Sequence, residues 1–277
     1  MSVQVDYFVY KSEDLINCLN QVKEEKEDVH NFFSTFTYNK ILSQNYDKEN
    51  SSYLFKNAIK EDTTKSKIIY ALNKLNQENL TKIISTIREI KFEREEELVE
   101  LVNQCIQKIK RETEQIKQLV GELCSKLLLT YFLTETGEKI YLRKILLTMV
   151  KNDYEININY NDENWTKEKG EKSMILIGTL FNNKIIEDKV MMSIIDDFKK
   201  KIIYKNNNVE EDFQIVEKSI QLLSCLISTI IKTPEVKKTF NHLDLFLEQE
   251  MVIYEEKKCI SKKIRLVCKN CIEELRK

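Results

Sequence analysis

The sequence predicts an all-α protein organised as an α-solenoid, and three observations carry that reading. Only 4 Gly and 1 Pro occur in 277 residues, against ordinary usage of about 7% and 5%. Strand-rich folds need turn residues every ten residues or so, and the chain lacks them. Apolar residues recur at steps of three and four along much of the chain, the period of a helix with one buried face. The stretch 172–198 departs from that one-faced pattern: Met174, Ile177 and Phe181 share a face, while Leu176 and Leu180 open a second. A helix apolar on two sides lies between neighbours rather than on a surface. After Asn182 and Asn183, the residues Ile186, Val190, Ile194 and Phe198 step by four, so a second helix is expected to return antiparallel to the first. A pair with one member sandwiched is the unit that an α-solenoid repeats. Gly178 sits inside the first helix at a cost of about 1 kcal/mol against Ala, for which close helix packing is the expected reason.

The formal net charge is −1, with 32% charged residues. The summed charge does not argue for nucleic acid, so any RNA contact would come from a local basic face. Seven cysteines, an odd number, argue for free thiols in a reducing, cytoplasmic compartment. The opening MSVQVDYFVYKSEDL has neither the basic segment nor the apolar core of a secretory signal. No apolar run approaches the roughly 18 residues of a membrane span. The longest apolar run, 127–133, is expected to be helix core.

Residues 1–65 are the least regular part and form an N-terminal arm. Within it, YKSEDLI places Tyr10 and Leu15 five apart with Ile16 beside them. That spacing suits a short helix docking into a surface groove. The same spacing at Tyr141, Leu146 and Leu147 is expected to be helix core. A polar linker, 43–52, precedes a helical domain spanning 66–277. There, Ile68 to Leu75 leads to Asn76 as an expected N-cap, and Leu80, Ile83, Ile84, Ile87 and Ile90 form a stripe. Phe92 follows at a charged turn; a large apolar group expected to be exposed at a helix junction is a contact candidate. Leu98, Leu101, Val102, Cys105, Ile106 and Ile109 make a return helix, and Ile116, Leu119, Val120, Leu123, Cys124 and Leu127 the next. Residues 142–155 form another, carrying the charged pair Arg143 and Lys144 in an otherwise apolar segment, and 156–164 read as a polar loop. After the central pair, Lys199, Lys200 and Lys201 stand where a helix C-terminus favours cations. Asn208 and Glu211 have capping-box spacing, and Val209, Phe213, Val216, Ile220, Leu223, Ile227 and Ile230 step by four and three. Thr233 and Pro234 mark a further helix start. Ile264, Val267, Cys268, Cys271, Ile272 and Leu275 are the stripe of the last.

Catalytic chemistry is not expected. Cys268 and Cys271 have a metal-like spacing, but a structural zinc site wants four ligands, and both lie on the apolar stripe. His30 and His242 are the only histidines and make no triad. No Gly-rich phosphate loop occurs. No enzyme activity, metal or cofactor follows from the residues.

Six segments occur in an order that resembles the middle domain of eukaryotic translation initiation factor 4 gamma. They are Leu72-Asn73-Lys74-Leu75, Leu119 to Leu127, Leu142 to Glu155, Ile177-Gly178-Thr179-Leu180-Phe181 with Lys184-Ile185-Ile186, Leu222 to Ile230, and Ser261 to Leu266. Three departures stand out: Ile231 replaces the family's Gly, Lys263 an Arg, and Leu266 a Phe. The resemblance implies about five HEAT-type antiparallel helix pairs in a crescent. It implies a scaffold, monomeric within a complex, that binds and activates the DEAD-box helicase initiation factor 4A. Phe92, Arg143, Lys144, Lys263, Arg265 and Leu266 would be its helicase contacts. The Tyr10, Leu15, Ile16 motif is similar to the family's docking site for the cap-binding protein, initiation factor 4E. Messenger RNA would lie on Lys199, Lys200, Lys201, Lys257, Lys258 and Lys262. The alternatives are another middle-domain adaptor in mRNA decay, splicing or nuclear cap binding, or an unrelated helical adaptor.

Overall fold

The chain's contacts divide it into two units, Met1–Glu61 and Asp62–Lys277. The computed structural model describes residues 64–276 of the second unit, apart from 161, 204–209, 232–238, 241, 258 and 259. Tyr10, Leu15, Ile16, the linker 43–52, the Asn208 capping box, the Thr233 and Pro234 helix start, and Lys258 lie outside the described residues.

Ten helices and one short hairpin make up the described chain. Helix α1 (Thr64–Asn73) buries Ile68, Ala71 and Leu72. Asn76 does not cap the next helix: its backbone N–H and side-chain oxygen exchange hydrogen bonds with Asn79 at 2.8 and 3.0 Å. This closes the turn, and Asn79 is the N-cap of α2 (Leu80–Arg88). Helix α3 (Glu95–Arg111) has three glutamates in its first turn and Lys108, Lys110 and Arg111 in its last, matching its macrodipole at both ends. The Glu97 carboxylate accepts the N–H groups of Glu93 and Arg94. The buried set Leu98, Leu101, Val102, Cys105, Ile106 and Ile109 is the stripe read from the sequence. Helix α4 (Glu114–Leu127) follows.

The apolar run 127–133 is not continuous helix. After Leu127 the chain turns into β1 (Tyr131–Leu133), paired antiparallel with β2 (Lys139–Tyr141). Gly137, at φ +82°, closes the connecting turn, a left-handed position for which Gly carries no Cβ penalty. Helix α5 (Leu142–Asn157) runs two residues past Glu155 into the expected loop. There Trp165 Nε1 donates to the Asn157 carbonyl at 2.7 Å. Then come α6 (Lys167–Asn182), capped by Thr166 Oγ1 accepting from the Lys169 N–H, α7 (Asp188–Ile202), α8 (Glu210–Ile230), α9 (His242–Lys257) and α10 (Lys262–Arg276).

Helix α6 buries Met174, Leu176, Ile177, Leu180 and Phe181, apolar on two sides as its sequence requires. It packs on α3, α4 and α5 at one side and on α8 at the other. Its expected partner in a hairpin was α7, but α7 packs chiefly on α8, and α6 packs most heavily on α8, with α5 its contact among sequence neighbours. The pairing frame is therefore α1 with α2, α3 with α4, α5 with α6, α7 with α8 and α9 with α10. Between pairs, α1 meets α3, α2 meets α4, α3 meets α5 and α6, α4 meets α6, α6 meets α8, and α8 meets α10. Helix α8 is more than a one-faced amphipath: Leu222 and Leu226 are buried along with Val216, Ile220, Leu223, Ile227 and Ile230.

Candidate functional site

Phe92 stands between α2 and α3, and its side chain is buried. The expectation of an exposed aromatic at this junction is not met: the ring joins the core that Ile87 and Leu98 also form. A buried ring cannot offer a partner its face.

Arg143 and Lys144 open α5, and both are exposed. Arg143 donates to Glu187 Oε1 at 2.9 Å, linking α5 to the N-cap position of α7. A partner's carboxylate would have to compete with Glu187 for that guanidinium. One turn further along the sequence, the expected core residue Leu146 is fully buried, whereas Tyr141 is exposed on β2.

The three lysines of α7 diverge, because consecutive helical residues point about 100° apart. Lys200 is exposed and pairs with Asp197 at 3.5 Å. Lys199 lies over the Phe246 ring of α9 at 5.4 Å. Lys201 turns inward, 4.8 Å over the Tyr160 ring, and donates to the Ile158 carbonyl at 3.4 Å. Burial lowers its pKa, against the pull of Asp197. From α8, Lys218 lies 5.8 Å over the same ring and 4.8 Å over Trp165. Tyr160 and Trp165 meet edge to face at 5.5 Å, and the Ser219 hydroxyl donates to Tyr160 Oη at 3.1 Å. Burial pushes the Tyr160 phenol up to about 12, with the Ser219 hydrogen bond working the other way. These aromatics and lysines tie the α5–α6 connection to α7 and α8. Of the three lysines expected to meet RNA, Lys200 is exposed, while Lys199 and Lys201 are half-buried.

The remaining basic residues gather on α10. Lys262 and Lys263 are exposed in its first turn, Leu266 follows exposed, and Lys269 extends the same face. Lys269, seven residues after Lys262 and three after Leu266, was not singled out from the sequence, although its helical spacing marks it. Ser261 caps the helix: its Oγ accepts from the Ile264 N–H at 3.4 Å, and its own N–H donates to Glu217 Oε1 at 2.6 Å. Two cations in a first turn oppose the helix dipole by some tenths of a kcal/mol each. Arg265 is half-buried, with its Nε enclosed and lacking a hydrogen-bond partner. Lys257 ends α9, exposed.

Cys268 and Cys271 face the core of this helix, and burial pushes both thiols up to about 12. Among the described residues, no three His, Cys, Asp or Glu side chains stand close enough to hold a metal ion. No helix is long and apolar enough to cross a membrane among the same residues.

No family model and no curated protein matches the chain. The functional reading rests on the residues and their placement.

Proposed function

We propose that the protein is a cytoplasmic translation-initiation scaffold of the initiation factor 4 gamma middle-domain type. In this reading it binds and activates the DEAD-box helicase initiation factor 4A and tethers it to the cap-binding protein and mRNA. The observation that carries the reading is the ladder of helix contacts. Five sequence-adjacent pairs each lean on the next through alternate helices, the arrangement expected of HEAT-type repeats. The segment Ile177 to Phe181 lies in the twice-covered helix α6, where the family resemblance needs a buried core. Arg143 and Lys144 on α5 are separated from α10 by α6 and α8 in that ladder, so one surface could engage each of two helicase lobes. Holding both lobes would favour the closed, RNA- and ATP-competent state only through higher affinity for it than for the open state. The Tyr10 motif would raise the effective concentration of cap-binding protein near the helicase.

The test is the RNA-dependent ATPase rate of initiation factor 4A with and without the full chain. Stimulation of about three-fold or more is expected, reduced about tenfold in affinity by Lys263→Glu or Leu266→Asp. Both residues are exposed, so neither variant should unfold the chain. Absence of stimulation by folded protein, with the helicase active alone, would sink the proposal.

A further inference from the structure

The hairpin between α4 and α5 carries an exposed apolar face with no counterpart in an ordinary soluble helix pair. Tyr131 and Leu133 project from one side of β1, and Tyr141 stands opposite Tyr131 across the ladder, their rings 5.8 Å apart; Lys139, opposite Leu133 on the same side, lays its ammonium 4.5 Å from the centre of the Tyr131 ring. Tyr131, Leu133 and Tyr141 are 42%, 52% and 39% exposed, and Leu129 just before them is 81% exposed. Phe132 and Ile140, on the other side, pack against the core.

The backbone of β1 is also open. Thr130 accepts from the Leu142 N–H at 2.8 Å and Thr134 donates to the Glu138 carbonyl at 2.9 Å, while Phe132 pairs with Ile140. In an antiparallel ladder the residues between such pairs turn their N–H and C=O groups outward. Tyr131 and Leu133 therefore present two donors and two acceptors on the free edge of β1. Beside Leu133 lies a shelf of about 530 Å³ between the hairpin and the start of α3. Glu93, Glu95, Glu96 and Glu135 line it, and its one cation, Arg94, is paired with Glu97 at 3.4 Å.

We propose that this edge binds an extended peptide in which apolar residues alternate with Lys or Arg, added to the hairpin as a third strand. Main-chain hydrogen bonds to Tyr131 and Leu133 would hold the segment in register. Alternate side chains of a strand face opposite sides. One set covers Tyr131, Leu133 and Tyr141, and the cations reach the glutamates. The glutamates of the shelf select this occupant over a second copy of the chain, whose own edge segment, Thr130 to Thr136, carries no Lys or Arg. The proposal is independent of the helicase reading.

The probe is a fluorescein-labelled peptide, Lys-Val-Lys-Ile-Lys-Val-Lys, titrated into the full chain. Anisotropy reads binding, and hydrogen exchange reads the Tyr131 and Leu133 amides. Saturable binding is expected, with both amides exchanging about tenfold more slowly. Methylating alternate peptide nitrogens, or replacing Glu135→Lys in the hairpin turn, should weaken binding about tenfold. Glu135 lies outside every helix, so its replacement leaves the fold intact, as circular dichroism would verify. No binding, or equal binding of the N-methylated peptide, overturns the proposal. Self-association of the chain abolished by Leu133→Arg would assign the face to a second copy and overturn it as well.

Discussion

A Cβ added at Gly178 would lie 2.6 Å from Thr229 Cγ2 and 2.8 Å from Thr229 Cβ. The second atom is fixed to the α8 backbone and cannot swing away. Gly178→Ala should therefore destabilise the fold by about 1–3 kcal/mol through overpacking, despite a gain of about 1 kcal/mol in helix propensity; denaturant unfolding checks the sign. Close packing was the reason read from the sequence for a glycine inside a helix, and the contact with Thr229 is that packing. Lys184 is the opposite case. It adopts φ +60° just past α6, where its N–H donates to the Phe181 carbonyl and the Ile185 N–H to that of Leu180. These two bonds make a Schellman turn, whose left-handed residue is usually Gly. Lys184→Gly should stabilise the protein by about 0.5–1 kcal/mol, measurable as a raised denaturation midpoint. Phe92 marks the limit of residue-level reading: a large apolar group among charges suggests a contact, but its neighbours in space fold over it.

At the scale of elements, the apolar stripe of α3 was legible to the residue, because all six of its positions are buried. The hairpin was not. Residues 127–133 are apolar but for Thr130, so periodicity could not separate helix from strand; Gly137 was the available signal for a turn. Helix α9 joins α10 partly through the last turn, where Arg276 donates to Asp244 at 2.9 Å and to Glu248 at 2.7 Å. The Arg276 hydrogen bond holds the Asp244 carboxyl below its ordinary value of 3.8. A depressed folded-state pKa contributes stability that is present above the unfolded value and lost as the pH falls through the folded one. Arg276→Ala should therefore lower the thermal midpoint slightly at neutral pH. The difference should disappear in acid, below the ordinary aspartate range. These groups are exposed, so high salt should shrink the difference too.

Over the whole molecule, buried thiols are spread along the ladder, with Cys105 on α3, Cys124 on α4 and Cys268 and Cys271 on α10. Cys225 on α8 is half-buried, and burial pushes its thiol up to about 11, while Cys268 and Cys271 rise to about 12. A raised folded-state pKa gives stability that is complete below the unfolded value of 9.0 and declines as the pH climbs toward the folded values. Stability should fall progressively between pH 9 and pH 12, and Cys268 and Cys271 should resist a thiol reagent at pH 8 until denaturant is added. Denaturant unfolding followed by circular dichroism reads the first, and absorbance of the released thiolate dye at pH 8 the second.

The sequence by itself determined that the described chain is largely helical and which residues form the apolar stripe of most helices. Those properties belong to single segments: a 3.6-residue period and a scarcity of turn residues. Which helices pair, and which side chains that pairing hides, was decided only by the tertiary structure. The turn at Asn182 and Asn183 suggested that α6 and α7 would lie together. Instead α6 joins α5 and passes under α8, where Gly178 admits Thr229 closer than a Cβ would allow and Gly170 makes room for the end of Leu222. Lys201 was drawn inward for the same reason, because the ring that holds it, Tyr160, comes from a loop about 40 residues earlier in the chain. A stripe records that a face will be covered; the shape and volume of distant side chains choose what covers it.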